Sequence, residues 1–132
     1  MDEVLKFLTD DPSVFYIATI DGDMPRVRPF GFAMIYEGKL CFCTSNQKKV
    51  YKQLKANPNF EISKTAKDGE WLRLNGKAVF NTTKQSKQAA LDVNPMLSRM
   101  YSADDSIFEI FYIENAEATF CNMKGASRTI KL

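Results

Sequence analysis

The sequence predicts a mainly β protein: a six-stranded antiparallel barrel with three short helices attached. Three observations carry this expectation. First, β-rich runs recur along the chain, and tight turns join most of them: Asp21-Gly22-Asp23, Glu37-Gly38-Lys39 and Lys67-Asp68-Gly69. Second, one helical segment interrupts consecutive strands in the middle of the chain, which is too little crossover for a doubly wound sheet. Third, residues 31–35 are apolar or small on both alternating faces, with Phe32 and Met34 against Gly31, Ala33 and Ile35. A barrel wall covered on two sides has that pattern.

The elements follow in order. Residues 2–9 place Val4, Leu5 and Leu8 on one helical face, and Asp10-Asp11-Pro12 ends the helix. Residues 14–20 read as a strand, as do 25–36 and 40–43 around the Glu37-Gly38-Lys39 turn. Residues 45–56 carry Val50 and Leu54 four apart before the stop signal Asn57-Pro58, so they read as a short helix. Residues 60–66 and 71–80 form a hairpin, with Gly76 marking a bulge in the second arm. Thr82-x-x-Gln85 reads as a capping box for a polar helix that reaches Val93, on which Lys87→Glu is expected to leave cofactor retention unchanged. Residues 107–121 are long enough for a bent strand, and residues 129–132 for a terminal edge.

Composition bounds the chemistry. A length of 132 residues, with 45% hydrophobic residues and no dividing linker, is expected to form one domain, 1–132. There is no histidine, so a Ser-His-Asp triad, a Cys-His pair and a His-ligated zinc are excluded within the chain. The three cysteines, Cys41, Cys43 and Cys121, are too few for a tetrahedral thiolate site, and no metal is expected. Their odd number and the acidic opening residues point to a reducing, cytoplasmic setting without a membrane span. The formal net charge of +2 has both signs interspersed, which gives no footprint for nucleic acid.

Two segments carry candidate chemistry. In Cys43-Thr44-Ser45-Asn46-Gln47-Lys48-Lys49-Val50 a strand ends at Thr44, Ser45 or Asn46 supplies a helix cap, and Lys48 and Lys49 fall in the first turn. Lysines repel the positive pole of a helix unless an anion sits in front of it. With the hydroxyls of Thr44 and Ser45 and free backbone amides, the segment reads as a phosphate cradle. A solvated turn with its lysines in water is the alternative. In Pro25-Arg26-Val27-Arg28-Pro29-Phe30, Arg26, Arg28 and Phe30 share one strand face, and the two prolines require an edge. A charged edge that discourages aggregation is the alternative there. A hairpin between residues 25–36 and 40–43 would bring Arg28 towards Thr44.

In order and spacing, these residues resemble the pyridoxamine 5′-phosphate oxidase-like, FMN-binding split-barrel family. The likeness runs through the Pro25–Phe30 strand, Phe42-Cys43-Thr44, Lys49-Val50, Leu54 before Asn57-Pro58, Trp71-x-Arg73-x-x-Gly76 and Met123-Lys124-Gly125. It implies a split barrel that dimerises with FMN at the subunit interface. Thr44, Ser45, Lys48 and Lys49 would take the phosphate. Arg26, Val27, Arg28 and Pro29 would line the ring, and Trp71 and Arg73 would approach it from the other subunit.

The likeness breaks at the substrate end. The Arg-x-His pair of the vitamin-processing oxidase is missing, so oxidation of pyridoxamine phosphate is not expected. The short form resembles the small nitroimidazole-reductase branch, although the histidine of that branch is missing too, as is the axial histidine of haem-binding relatives. The expectation is an FMN-dependent oxidoreductase of a small electron-poor molecule, using NAD(P)H or another donor without a G-x-G-x-x-G motif. No catalytic side chain is assigned; Tyr36 or Tyr51 could serve as a proton donor, with core or surface packing as the alternative role of each. The alternatives are a flavin-binding or sensing module without turnover and a small β-barrel that binds single-stranded nucleic acid.

Overall fold

A computed structural model describes residues 1–132. In chain order the elements are α1 (Asp2–Thr9), β1 (Phe15–Asp21), β2 (Met24–Phe30), β3 (Met34–Tyr36), β4 (Lys39–Ser45) and α2 (Lys49–Ala56). They continue with β5 (Asn59–Thr65), β6 (Trp71–Phe80), α3 (Lys84–Val93), a 3₁₀ turn at Pro95–Arg99, β7 (Phe108–Cys121) and β8 (Ser127–Lys131). The class is the expected one, mainly β and antiparallel throughout, but the sheet has eight strands rather than six.

The strands run β2-β1-β5-β6-β7-β4-β3, and β8 branches off β7. The long β7 serves three neighbours. One flank pairs with β6, while the other pairs with β4 through Phe108–Tyr112 and with β8 through Glu117–Cys121. The sheet curls into a barrel. Phe15 of β1 and Phe42 of β4 lie far apart in strand order, yet their rings are 6.0 Å apart and edge-on. Phe30 reaches Phe111 at 6.5 Å in the same way. Each such pair contributes about 0.5–1.5 kcal/mol beyond its buried area, and Phe15, Phe42 and Phe111 have no exposed surface.

Three departures from the sequence reading have local causes. Residues 25–36 are two strands, because β2 leaves to pair with β1 along its whole length while Met34–Tyr36 turns onto β4. The bulge at Gly76 carries its extra residue on the opposite strand: β6 steps from Asn75 to Lys77 while β7 steps from Glu117 to Glu114. There Asn115 takes a φ of 53°. Gly76 is required because a Cβ would stand 2.6 Å from Ile113 Cγ1 and 2.8 Å from the Glu114 carbonyl. The α3 cap is Thr83 rather than Thr82. Thr83 and Ser86 exchange side-chain and backbone bonds at 2.9 Å, whereas the Thr82 hydroxyl accepts from Ile110 N and donates to Glu109.

α1 and α2 pack on the barrel core, and α3 covers the outer face of the wall formed by β3, β4 and β7. Val4 and Leu8 of α1 are fully buried, and Lys64 Nζ donates to Leu8 O at 3.1 Å and Asp10 O at 2.6 Å, which holds the end of that helix. Lys87 is buried with Nζ on Asp105 O at 2.9 Å. No helix is long and apolar enough to cross a membrane.

Candidate functional site

The site is built where β2, the end of β4 and the start of α2 meet. β2 is an edge strand, as its prolines require. Its inward-facing residues grade from rim to core: Arg26 is exposed and paired with Asp21 at 3.2 Å, Arg28 is half-buried, and Phe30 packs on Phe15 and Phe111. Burial of the Arg28 guanidinium lowers its pKa from the usual value, and it has no carboxylate partner.

β4 runs one residue further than expected because Ser45 stays paired with Phe108 of β7. The helix cap is therefore neither Ser45 nor Asn46. Ser45 turns the chain instead: its Oγ accepts from Gln47 N at 3.2 Å and its carbonyl from Lys48 N at 3.0 Å. Asn46 ties the turn to Ser106 O at 2.7 Å and Glu109 at 3.0 Å. Lys48 is the cap residue of α2 and Lys49 its first helical residue. No side chain accepts from the first amides, and the first turn holds no acid. Positive side chains thus stand at the positive pole of the helix with no internal neutralisation.

Two clefts flank this junction. The first, about 500 Å³, is lined by Arg26, Val27, Arg28, Lys48, Lys49 and Gln53, with Val50 and one acid, Asp21, which is paired with Arg26. The second, about 310 Å³, is lined by Arg28, Pro29, Thr44, Lys48, Leu97 and Tyr101, among others. Arg28 and Lys48 belong to both. Another hollow, of about 430 Å³, lies against the Gly76 bulge and contains none of the predicted site residues. In the second cleft Thr44 is 3% exposed and its hydroxyl has no hydrogen-bond partner. A buried polar group left unpaired costs about 1–3 kcal/mol, so this hydroxyl lacks a contact that a ligand in the cleft would supply.

Of the predicted site residues, Arg26, Val27, Arg28, Pro29, Thr44, Lys48 and Lys49 come together here. Ser45 lies beneath them, buried, and lines neither cleft. Trp71 and Arg73 are remote on β6, where Arg73 pairs with Glu61 at 3.1 Å. Tyr51 packs edge-on against Phe80 at 5.0 Å and lines neither cleft, as is also true of Tyr36. The tyrosine in the second cleft is Tyr101, stacked on Phe108 at 4.3 Å, with burial raising its pKa. Cys43 also lines that cleft as a free thiol whose pKa burial pushes up to about 12, so it is neutral at physiological pH.

Sequence reasoning missed Tyr101, Leu97, Thr19 and Gln53. The one available signal was Gln53, a polar residue at core spacing between Val50 and Leu54.

Comparison with known proteins agrees with this fold. The family described as pyridoxamine 5′-phosphate oxidase matches residues 1–122, and the chain belongs to that family. Among solved structures, a NimC/NimA family protein from Clostridium acetobutylicum is 45% identical with a TM-score of 0.90, covering 98% of this chain and 88% of its own. General Stress Protein 26 from Bacillus anthracis is 17% identical, with a TM-score of 0.74 over 98% of this chain and 97% of its own. A pyridoxamine 5′-phosphate oxidase-related, FMN binding protein from Nostoc punctiforme is 14% identical, with a TM-score of 0.60 over 99% and 95%. The two more distant likenesses concern the fold. No curated protein matches the sequence.

Proposed function

We propose that the chain is an FMN-dependent oxidoreductase that reduces a small electron-poor molecule with electrons from NAD(P)H or another donor. One observation carries the reading: a buried, unpartnered hydroxyl on Thr44 shares a cleft with Arg28 and Lys48, which, like Lys49 in the adjoining cleft, have no carboxylate partner, Asp21 there being paired with Arg26. That donor set fits a phosphorylated planar group. Family membership and the 45% identical NimC/NimA relative support the same reading.

Thr44, Lys48, Lys49 and the first amides of α2 bind the phosphate, and Ser45 shapes the turn that presents them. Arg26, Val27, Arg28 and Pro29 line the ring through side chains and main chain. Bound FMN supplies hydride and electron transfer, and the protein supplies orientation and field. Arg28 would place a positive charge beside bound FMN, and Leu97 and Tyr101 would keep water from one wall.

We assign the whole chain, 1–132, to one flavin-binding domain that works in the cytoplasm as a homodimer with FMN at the interface. The outer face of β1 and β2 supports the dimer, with the apolar cross-strand pairs Tyr16–Pro29, Ala18–Val27 and Ile20–Pro25. Val27 is 68% exposed and Tyr16 51%, which leaves an apolar strip to be covered. Trp71 and Arg73 then act on the cofactor of the other copy.

The test is the visible spectrum and native mass of the freshly purified protein, followed by anaerobic NAD(P)H addition. A flavin band, twice the chain mass and bleaching by a donor are expected. A protein that retains no flavin after incubation with FMN contradicts the reading. Bound flavin that no donor reduces would leave a binding module without turnover.

A further inference from the structure

A polar network lies beneath the wall that the two clefts share. Arg28 Nη1 donates to Thr19 Oγ1 at 2.7 Å and to Ile17 O at 3.3 Å, and Nη2 donates to Gln53 Oε1 at 2.6 Å. The Thr19 hydroxyl donates to the same Gln53 oxygen at 2.6 Å. Thr19 is 2% exposed and Gln53 9%, and they come from β1 and α2. A guanidinium has donors only, so Gln53 must turn its oxygen towards Arg28. Every acceptor in the network is therefore neutral.

This is an unusual way to hold a partly buried arginine. A carboxylate at position 53 would hold the guanidinium as firmly through a charge-assisted pair, but it would cancel the charge. A glutamine and a threonine fix the position and leave the charge intact. The same helix carries Lys48 and Lys49 at its start, so α2 both presents the anion cradle and clamps the guanidinium.

From this geometry we infer that Gln53 and Thr19 are positioning residues for Arg28. They lock its uncancelled charge at the shared wall, so that flavin bound there is held at a higher reduction potential than an Arg–Glu pair would allow. The inference rests on FMN occupying the clefts and goes beyond it by assigning the control of potential to the side chains that hold Arg28.

The experiment measures FMN affinity and the midpoint potential of bound FMN in the native protein, Gln53→Glu, Thr19→Val and Thr19→Ser. Gln53→Glu is expected to retain FMN while losing about tenfold of its preference for the reduced form, which is about 30 mV for a two-electron couple. Thr19→Val shifts the potential in the same direction by less, and Thr19→Ser, which keeps the hydroxyl, restores the native value. A purely structural role would alter stability equally in the two Thr19 variants and leave the potential alone. Native potentials in both Gln53→Glu and Thr19→Val would overturn the inference while leaving FMN binding intact. A native protein that binds no FMN removes both proposals before any variant is made. If Gln53→Glu does not fold, the two Thr19 variants decide.

Discussion

Two helix ends treat a lysine in opposite ways. At one end Lys64, 4% exposed, points its ammonium at the last carbonyls of α1, the negative pole of that helix, and the contact closes on itself. At the other end Lys48 and Lys49 stand at the positive pole of α2 with no acid in its first turn. The first arrangement stabilises the fold without outside help. The second costs stability in the empty protein, and a bound anion would remove that cost. A cation placed against a helix dipole is therefore the more informative of the two, and the unpartnered Thr44 hydroxyl lies in a cleft that Lys48 also lines.

Exchanging the roles of the two ends breaks the comparison most sharply. Replacing Lys48 and Lys49 together by glutamate should weaken FMN binding more than about a hundredfold, as read by flavin fluorescence, because charge-assisted contacts become repulsive. The same change should raise the stability of the empty protein by about 0.5 kcal/mol in denaturant titration, since acids suit that pole. Lys131→Glu, on an exposed position of β8, is the control and should change neither quantity. Lys87 does not serve as a control because its ammonium is buried against Asp105 O.

Lys64→Met should do the reverse. With the Leu8 and Asp10 carbonyls left without their donor, stability should fall by about 2 kcal/mol in denaturant titration while FMN affinity stays native. Thr44→Val comes next, with FMN affinity about tenfold weaker and the empty protein as stable as the native one or slightly more so.

The smallest effect belongs to the α1 surface. A hydrogen bond from Arg128 holds the Glu3 carboxyl below its usual pKa. A depressed acid stabilises the fold above its unfolded pKa and stops doing so as pH falls through the folded value. The thermal midpoint should therefore drop slightly more steeply on acidification in the native protein than in Arg128→Ala.

What the sequence made legible was local. The turns at Gly22, Gly38 and Gly69 all have positive φ, and the helix at residues 2–9 and the long strand before residue 121 are where periodicity put them. The grouping of Thr44, Lys48 and Lys49 beside one cleft was legible too, because they are neighbours in the chain. Long-range pairing was not. Whether Ser45 caps a helix or extends a strand depends on Phe108, which pairs with it across the sheet. The Arg28 clamp joins β1, β2 and α2, and Thr19 stands 34 residues from Gln53. Gly76 was readable as a bulge site, but the inserted residue lies in β7, where only the partner register reveals it. The split of residues 25–36 follows from competition between β1 and β4 for partners, which no single-strand pattern contains.

The most direct test compares FMN with riboflavin, which differ only in the phosphate, by fluorescence titration of the flavin-free protein. The cradle predicts FMN at least about a hundredfold tighter than riboflavin, with the gap lost when Lys48 and Lys49 become glutamate. Equal affinity for the two flavins in the native protein would contradict it.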